Sequence, residues 1–443
     1  MKTAWISLLA IASSMVAPVG VADELVLDRD RYREQLEGFW LGQSIANWTG
    51  LITEMDKIGG EGIHGEFYTR EHWGGPDHPN IWSPDGPSHL SPVIDWLLVE
   101  PGTPWGADDD TDIEYIYQHL LVSHEATVLT GEQIRDGWMA HIYSDENTPF
   151  RRHDGVPENY LWVSNQRAHD LMRVEGLVPP ATSDPAHNPD FEMIDAQLTT
   201  EIFGVFAPGR PDVALRMAYL PIRTTAGGEA ALASEFYVIM HALAASVRQD
   251  RPAKDQVFWM AGEARAHLPN DSISAKMHDF VKAQYDAGAS WEAARDAIYQ
   301  RYQVEQADGY DITSRGLECN GCFASGINFA ASMISLYWGE GDYQETVKIA
   351  VLAGWDSDNP AATWGGLLGF MMGRPAIETL FGRPLSDTFH IHRTRGGFPN
   401  DGMDSFPAMA ERGARVVDRV VRSEMGGEVV GAQWRIPEAV RQP

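Results

Sequence analysis

Two short segments carry most of the chemistry offered by this 443-residue chain. Gly106-Ala107-Asp108-Asp109-Asp110-Thr111-Asp112 sets four carboxylates within five residues, directly before a helical pattern that begins near Ile113. Gly354-Trp355-Asp356-Ser357-Asp358-Asn359-Pro360 also precedes a helix, with Pro360 suited to its first turn and Asn359 adding a carbonyl oxygen. Clustered carboxylates repel one another. A helix N-terminus offsets part of that repulsion through its free N–H groups and dipole, but hardly that of four acids. A hard divalent cation with oxygen ligands would offset the rest. Two such termini converging on a metal pair would suit Mg2+ or Mn2+ better than zinc. The alternative for each cluster is a solvated acidic helix cap.

The elements that must bring these segments together read as helices. Ile113, Ile116, Tyr117, Leu120 and Leu121 recur at the spacing of one helical face. Asp342 and Glu345 have capping-box spacing before Val347, Ile349, Ala350 and Val351. Stretches near 192–203, 213–220, 229–249, 253–267, 273–286, 290–302, 325–338 and 405–422 also predict helices. No series of alternating strands with hairpin turns stands out. The expected fold class is all-α, as one large helical domain over 23–443. Three irregular stretches, 59–106, 144–190 and 383–402, interrupt the helices, and their aromatic content favours ordered loops over a site.

Apolar residues at 44% and charged residues at 22% give an ordinary globular balance and argue against disorder. A formal charge of −29 repels phosphate backbones, so no nucleic-acid partner is expected. A local basic pocket for a phosphorylated small molecule stays open. Two cysteines rule out a multi-bridge scaffold and a four-cysteine zinc site. Lys2, the apolar stretch Trp5 to Val21 and the small residues Gly20-Val21-Ala22 predict a signal peptide over residues 1–22, and with it a periplasmic or secreted protein. No other stretch approaches the ~20 apolar residues of a membrane span. In an oxidising compartment, Cys319 and Cys322 predict a local disulfide.

Asp108-Asp109-Asp110-Thr111 taken with Gly354-Trp355-Asp356-Ser357-Asp358-Asn359 resembles the two signatures of the ADP-ribosylglycohydrolase family. That family's pattern is Thr-Asp-Asp-Thr early and Gly-Gly-Asp-Thr-Asp-Thr late. Gly38-Phe39-Trp40-Leu41-Gly42-Gln43 is similar to its glycine-rich first helix, and Pro208 to Ala218 to its Gly-rich segment ending in an arginine. The resemblance spans roughly residues 31–420. It implies an orthogonal multi-helix bundle with long ordered loops, a centre of two Mg2+ or Mn2+ ions, and hydrolysis of a ribosyl C1 bond to nitrogen or oxygen. Carried over by position, it implies Asp108, Asp109, Asp110, Asp356, Asp358 and Asn359 as metal ligands. Asp108 and Asn359 stand in for the family's threonines and keep an oxygen donor. Gly42-Gln43 replaces the family's Gly-Asp, and Glu54, or else Asn47, is the candidate for its catalytic glutamate.

Candidate substrate contacts are Phe206, Gly209, Arg210, Gly227 and Gly228. Phe206 either stacks on a base or sugar or packs in the core. Arg210, like Arg216 and Arg223, either meets a phosphate or carboxylate or forms a structural ion pair. Gly227-Gly228 either shapes the pocket or starts a helix. The expected activity is metal-dependent hydrolysis of an ADP-ribosyl or related ribosyl or furanosyl substrate, with Asp110 or Glu54 as general base on water. The substrate is a small molecule or a glycosylated partner. Two alternatives are a hydrolase of another extracellular furanoside or nucleoside-like glycoside, and a non-catalytic metal- or ligand-binding member of the same fold.

Overall fold

The computed structural model describes residues 24–152, 154–248, 250–311 and 321–442. The predicted signal segment 1–22 and Cys319 of the predicted disulfide lie outside the described residues. Among the described residues, fifteen α-helices dominate: α1 (Arg29–Gly50), α2 (Asp109–Ser123), α3 (Gly131–His141), α4 (Val163–Asp170), α5 (Ile202–Val205), α6 (Pro211–Thr225), α7 (Gly228–Ala244), α8 (Ala253–His267), α9 (Ile273–Asp286), α10 (Trp291–Ile298), α11 (Ser325–Gly339), α12 (Tyr343–Ala353), α13 (Asp358–Met372), α14 (Arg374–Phe381) and α15 (Phe406–Ser423). The fold is all-α. Two small antiparallel sheets accompany the helices: β1 (Leu25–Asp28), β5 (Gln433–Ile436) and β4 (Glu428–Val430) in that spatial order, and β2 (Thr388–His390) with β3 (Met403–Ser405). These strands are three or four residues long, too short for a period of two to register in the sequence.

Several helices begin where local chemistry says they should. Asp342 caps α12 by accepting from the Glu345 amide at 2.8 Å, and Ser272 and Ser290 cap α9 and α10 in the same way. Other boundaries differ from expectation. Helix α2 starts at Asp109 rather than near Ile113, so three of the four clustered acids occupy its first turn and Asp108 sits at the N-cap. The expected helix over 192–203 is broken into a 3-10 turn at Ile194–Ala196 and the short α5. The Thr199 and Thr200 hydroxyls bond back to the carbonyls of Asp195 and Ala196, at 2.9 and 2.7 Å, and compete with a regular helical ladder. Helices α3, α4 and α14 were not expected; α3 has eleven residues, and α4 and α14 have only eight each.

The centre of the molecule is a seam between α1 and α13. Nearly all of α1 from Leu36 onward and α13 from Asp358 to Phe370 is buried. Helices buried on all sides need small residues where their backbones meet. A methyl group on Gly42 would lie 2.3 Å from the Gly365 carbonyl oxygen, and one on Gly369 would lie 2.3 Å from that of Gly38. At the far end, a methyl group on Gly50 would lie 2.3 Å from Asp358 Cα. The C-terminus of α1 is therefore in backbone contact with the N-terminus of α13, and Asp358 is placed by that contact. Among the described residues no helix is long and apolar enough to cross a membrane.

The irregular stretches are tied down at a few points. Trp105 bridges to Phe389, and Ile142 to Arg395. Arg395 is the main knot. Its buried guanidinium pairs with Asp112 at 2.8 Å and donates to the carbonyls of Asn159 and Tyr160 at 2.6 and 3.0 Å.

Candidate metal centre

The two acidic segments meet. Carboxylate oxygens of Asp108, Asp110 and Asp358 lie within 4.8 Å of one another, and so do those of Glu54, Asp356 and Asp358. Asp358 belongs to both groups and links them. Glu54 sits on the loop that follows α1, and that loop is laced to the second acidic segment. The Met55 amide donates to the Trp355 carbonyl at 2.9 Å, and the Trp355 amide donates to the Lys57 carbonyl at 2.7 Å. Thr53 Oγ1 lies 2.9 Å from Ser357 Oγ and donates to the Val351 carbonyl at 2.6 Å. Gly354 makes the turn at φ +101°, where a side chain would also strike the Lys57 carbonyl. Trp355 follows at φ 58°, an uncommon conformation for a bulky residue, with its indole N–H held at 2.9 Å by Gln303.

The first segment is held equally firmly. Asn47 Nδ2 donates to Asp108 Oδ2 at 3.0 Å, so Asn47 positions a ligand candidate. Gln43 Nε2 donates to Glu114 Oε2 at 2.7 Å and reaches the Asp110 carbonyl at 3.4 Å. Glu114 Oε1 accepts from the Ile202 amide at 2.6 Å, which joins α2 to the start of α5. The Asp356 amide donates to Asn328 Oδ1 at 3.2 Å, a contact from α11 that sequence motifs did not signal.

Electrostatics follow from this crowding. Burial first, and neighbouring carboxylates second, hold Glu54, Asp108, Asp110 and Asp356 well above the usual carboxylate range. Burial, with Asp112, Asp195 and Asp358 nearby, pushes Asp109 up to about 8. Asp112 rises by burial to about 6 although Arg395 pulls it down. Asp108 Oδ1, Asp358 Oδ1, Asn359 Oδ1 and Asn47 Oδ1 are buried without a hydrogen-bond partner. Bare buried acceptors are costly, and an all-oxygen set around them fits a hard divalent cation. The residues present therefore fit a metal.

Asp109 and Asn359 take different places from the other ligand candidates. Asp109 lines the same cavity but belongs to neither carboxylate group. Asn359 donates to Asp110 Oδ1 at 3.4 Å. The acids open into a cavity of about 650 Å³, within the range of small-molecule sites. Its far wall comes from the irregular loops: Trp82 and His89 from one, Arg152, Asp154, Glu158, Tyr160 and Trp162 from another. The first of these loops is clasped beside Glu54. Asp56, pushed up to about 9 by burial and by the nearby Asp77 carboxylate, accepts from Tyr68 at 2.6 Å, and Asp77 accepts from the Ser88 amide at 2.6 Å.

Phe206, Gly209, Arg210, Gly227 and Gly228 are not among the residues that line this cavity. Phe206 is fully buried in the core. Arg210 makes a bidentate pair with Asp212 and reaches the carbonyls of Met425 and Pro437. Gly209, at φ +67°, donates to the Ala242 carbonyl and accepts from Val440. Gly227 caps α7 and Gly228 opens it, both packed against Phe191. Their glycine and arginine chemistry serves chain reversal and ion pairing. The wall residues Trp82, Tyr160 and Trp162 were not singled out by motif, because nothing local marks a loop aromatic as facing a cavity.

The fold and the centre define a helical protein with linked carboxylate groups suited to divalent cations. The profile of the ADP-ribosylglycohydrolase family matches residues 28–407. The chain belongs to that family, a family of hydrolases. A solved chain described as an "ADP-ribosylglycohydrolase-related protein complex" is similar at 16% identity and a TM-score of 0.45, covering 88% of this chain and 98% of its own. A search of curated proteins returns no match.

Proposed function

We propose that the protein is a metal-dependent glycoside hydrolase that cleaves the C1 bond of an ADP-ribosyl or related ribosyl or furanosyl substrate. The observation that carries this reading is the pair of carboxylate groups sharing Asp358 at the floor of a ligand-sized cavity. Two bound Mg2+ or Mn2+ ions would compensate the carboxylate charge and act as Lewis acids toward the hydroxyls of a furanose. Asp358, anchored at the N-terminus of α13, sets the spacing between the two groups. Asp108 and Asp110 hold one side, with Asn47 and Asn359 fixing their orientation. Glu54 is half-buried and lines the cavity, which supports it as the group that would take a proton from an attacking water. Charge developing at C1 as the bond breaks would be stabilised by the surrounding carboxylates.

The same reading includes export of the mature chain, 23–443, as a single catalytic domain acting on a small molecule or glycosylated partner. The test combines binding with turnover. Calorimetric titration of metal-free protein with Mn2+ should give saturable binding, and ADP-ribosyl-arginine and aryl furanosides should be cleaved only after metal is restored. Saturable metal binding without cleavage of any C1 bond would sink the hydrolase reading.

A further inference from the structure

The wall of the cavity indicates what kind of substrate the floor would act on. Of the described tryptophans, Trp82 and Trp162 alone are exposed, at 47% and 39%, and they come from separate loops to the same cavity. Their rings are nearly parallel, with centroids 6.0 Å apart and planes inclined by 24°. Phe323, from a third segment, stacks on Trp82 at 6.0 Å and 26°. Although stacked on each other, the two rings still leave 47% and 39% of their surface in water, and a partly apolar ligand surface would complete their burial. A sugar ring seen from its C–H face is such a surface, and so is a nucleobase.

Charge separates these two. Beyond the five lining acids of the two segments and Glu54, the described lining adds Asp154, Glu158 and Asp195, against a single lining arginine and Arg393, which lies 3.6 Å from Glu158. The lining arginine, Arg152, is already bidentate to Asp154. Two divalent ions bring four positive charges to the six carboxylates of Glu54, Asp108, Asp109, Asp110, Asp356 and Asp358, which leaves the floor negative. A diphosphate entering this cavity would meet carboxylates in excess of cations, and like charges in a partly desolvated site repel. The hydroxyls of a neutral sugar are instead good donors to Asp154 and Glu158.

We infer that the substrate is a neutral glycoside in which a furanose at the carboxylate floor is joined to a further sugar ring packed against the exposed surface of Trp82 and Trp162. This rests on the hydrolase reading above but concerns the wall and not the floor. Hydrolysis adds the elements of water across the C1–O bond: oxygen bonds to C1, and the departing sugar oxygen takes a proton.

The experiment is calorimetric titration of the metal-loaded Glu54→Gln full chain with arabinofuranosyl and galactofuranosyl oligosaccharides, and separately with ADP-ribose. At least one neutral oligosaccharide should bind more tightly than ADP-ribose. Trp82→Ala and Trp162→Ala, added singly, should each weaken that binding about tenfold without lowering the melting temperature of the ligand-free protein. Tighter binding of ADP-ribose, with competition by inorganic diphosphate, overturns the inference, and so does failure of every neutral oligosaccharide to bind. Turnover of the same compounds by the wild-type protein is scored separately. Oligosaccharide binding that depends on Trp82 without any turnover keeps the wall assignment and removes the hydrolase reading.

Discussion

The floor and the wall of the cavity are built by opposite means. The floor rests on helix termini locked by backbone contact, where Gly50 and Asp358 leave no room for one methyl group. The wall rests on loops with little regular structure, held by a few side-chain knots such as Arg395 and the Tyr68–Asp56 hydrogen bond. A glycine seam tolerates almost no adjustment, which suits carboxylates that must keep fixed spacings. Loops anchored at isolated points can exchange their aromatic residues without disturbing that spacing. The floor would therefore set the chemistry, and the wall would set what is brought to it.

Replacing the residue shared by both carboxylate groups should have the largest effect. Asp358→Asn should abolish turnover and the rise in melting temperature on adding Mn2+. In EDTA the variant should be no less stable than wild type, because it removes repulsion among crowded acids. A variant that still gains stability from Mn2+ would show that the two groups do not act as one centre. Next comes the knot behind the wall. Arg395→Ala leaves Asp112 buried without its cation and should cost about 3–5 kcal/mol in denaturant unfolding. A loss below about 1 kcal/mol would mean that loop and floor are less coupled than the buried pair indicates.

The seam itself gives a smaller effect. Gly42→Ala gains helix propensity but drives a methyl group into the Gly365 carbonyl, and overpacking of this kind should cost about 1–3 kcal/mol. A stabilised variant would mean that the two helices are free to separate. The mildest test is pH. Asp109 stands at about 8 in the folded metal-free chain, against about 3.9 for an unfolded aspartate. The folded state then holds this proton more tightly, so its contribution is complete below pH 4 and is lost as pH rises through 8. Glu54, Asp108, Asp110 and Asp356 act in the same direction. In EDTA the melting temperature should fall between pH 5 and pH 8, and Mn2+ should shrink or reverse that fall. A metal-free protein that becomes more stable over this interval would contradict the crowding of the floor.

Much of this was legible in the sequence, for local reasons. The helices at 253–267 and 273–286 coincide with α8 and α9, because apolar spacing and flanking caps are properties of a short window. The two aspartate segments announced themselves by charge density alone. Their meeting at Asp358 was not a local property. It depends on Gly50 packing against α13, and Glu54, on the loop just after α1, joins Asp356 and Asp358 there with Asp108 and Asp109 nearby. Arg395 could be seen as an arginine among glycines, but only the folded chain shows that it binds Asp112 and two loop carbonyls. Phe206 and Arg210 show the converse: side chains able to recognise a ligand became core and ion pair because the fold supplied Asp212 and an apolar surround first. Residue type and short-range spacing determined the helices and the acids. Long-range packing decided which acids share a centre, and which aromatic rings look down on it.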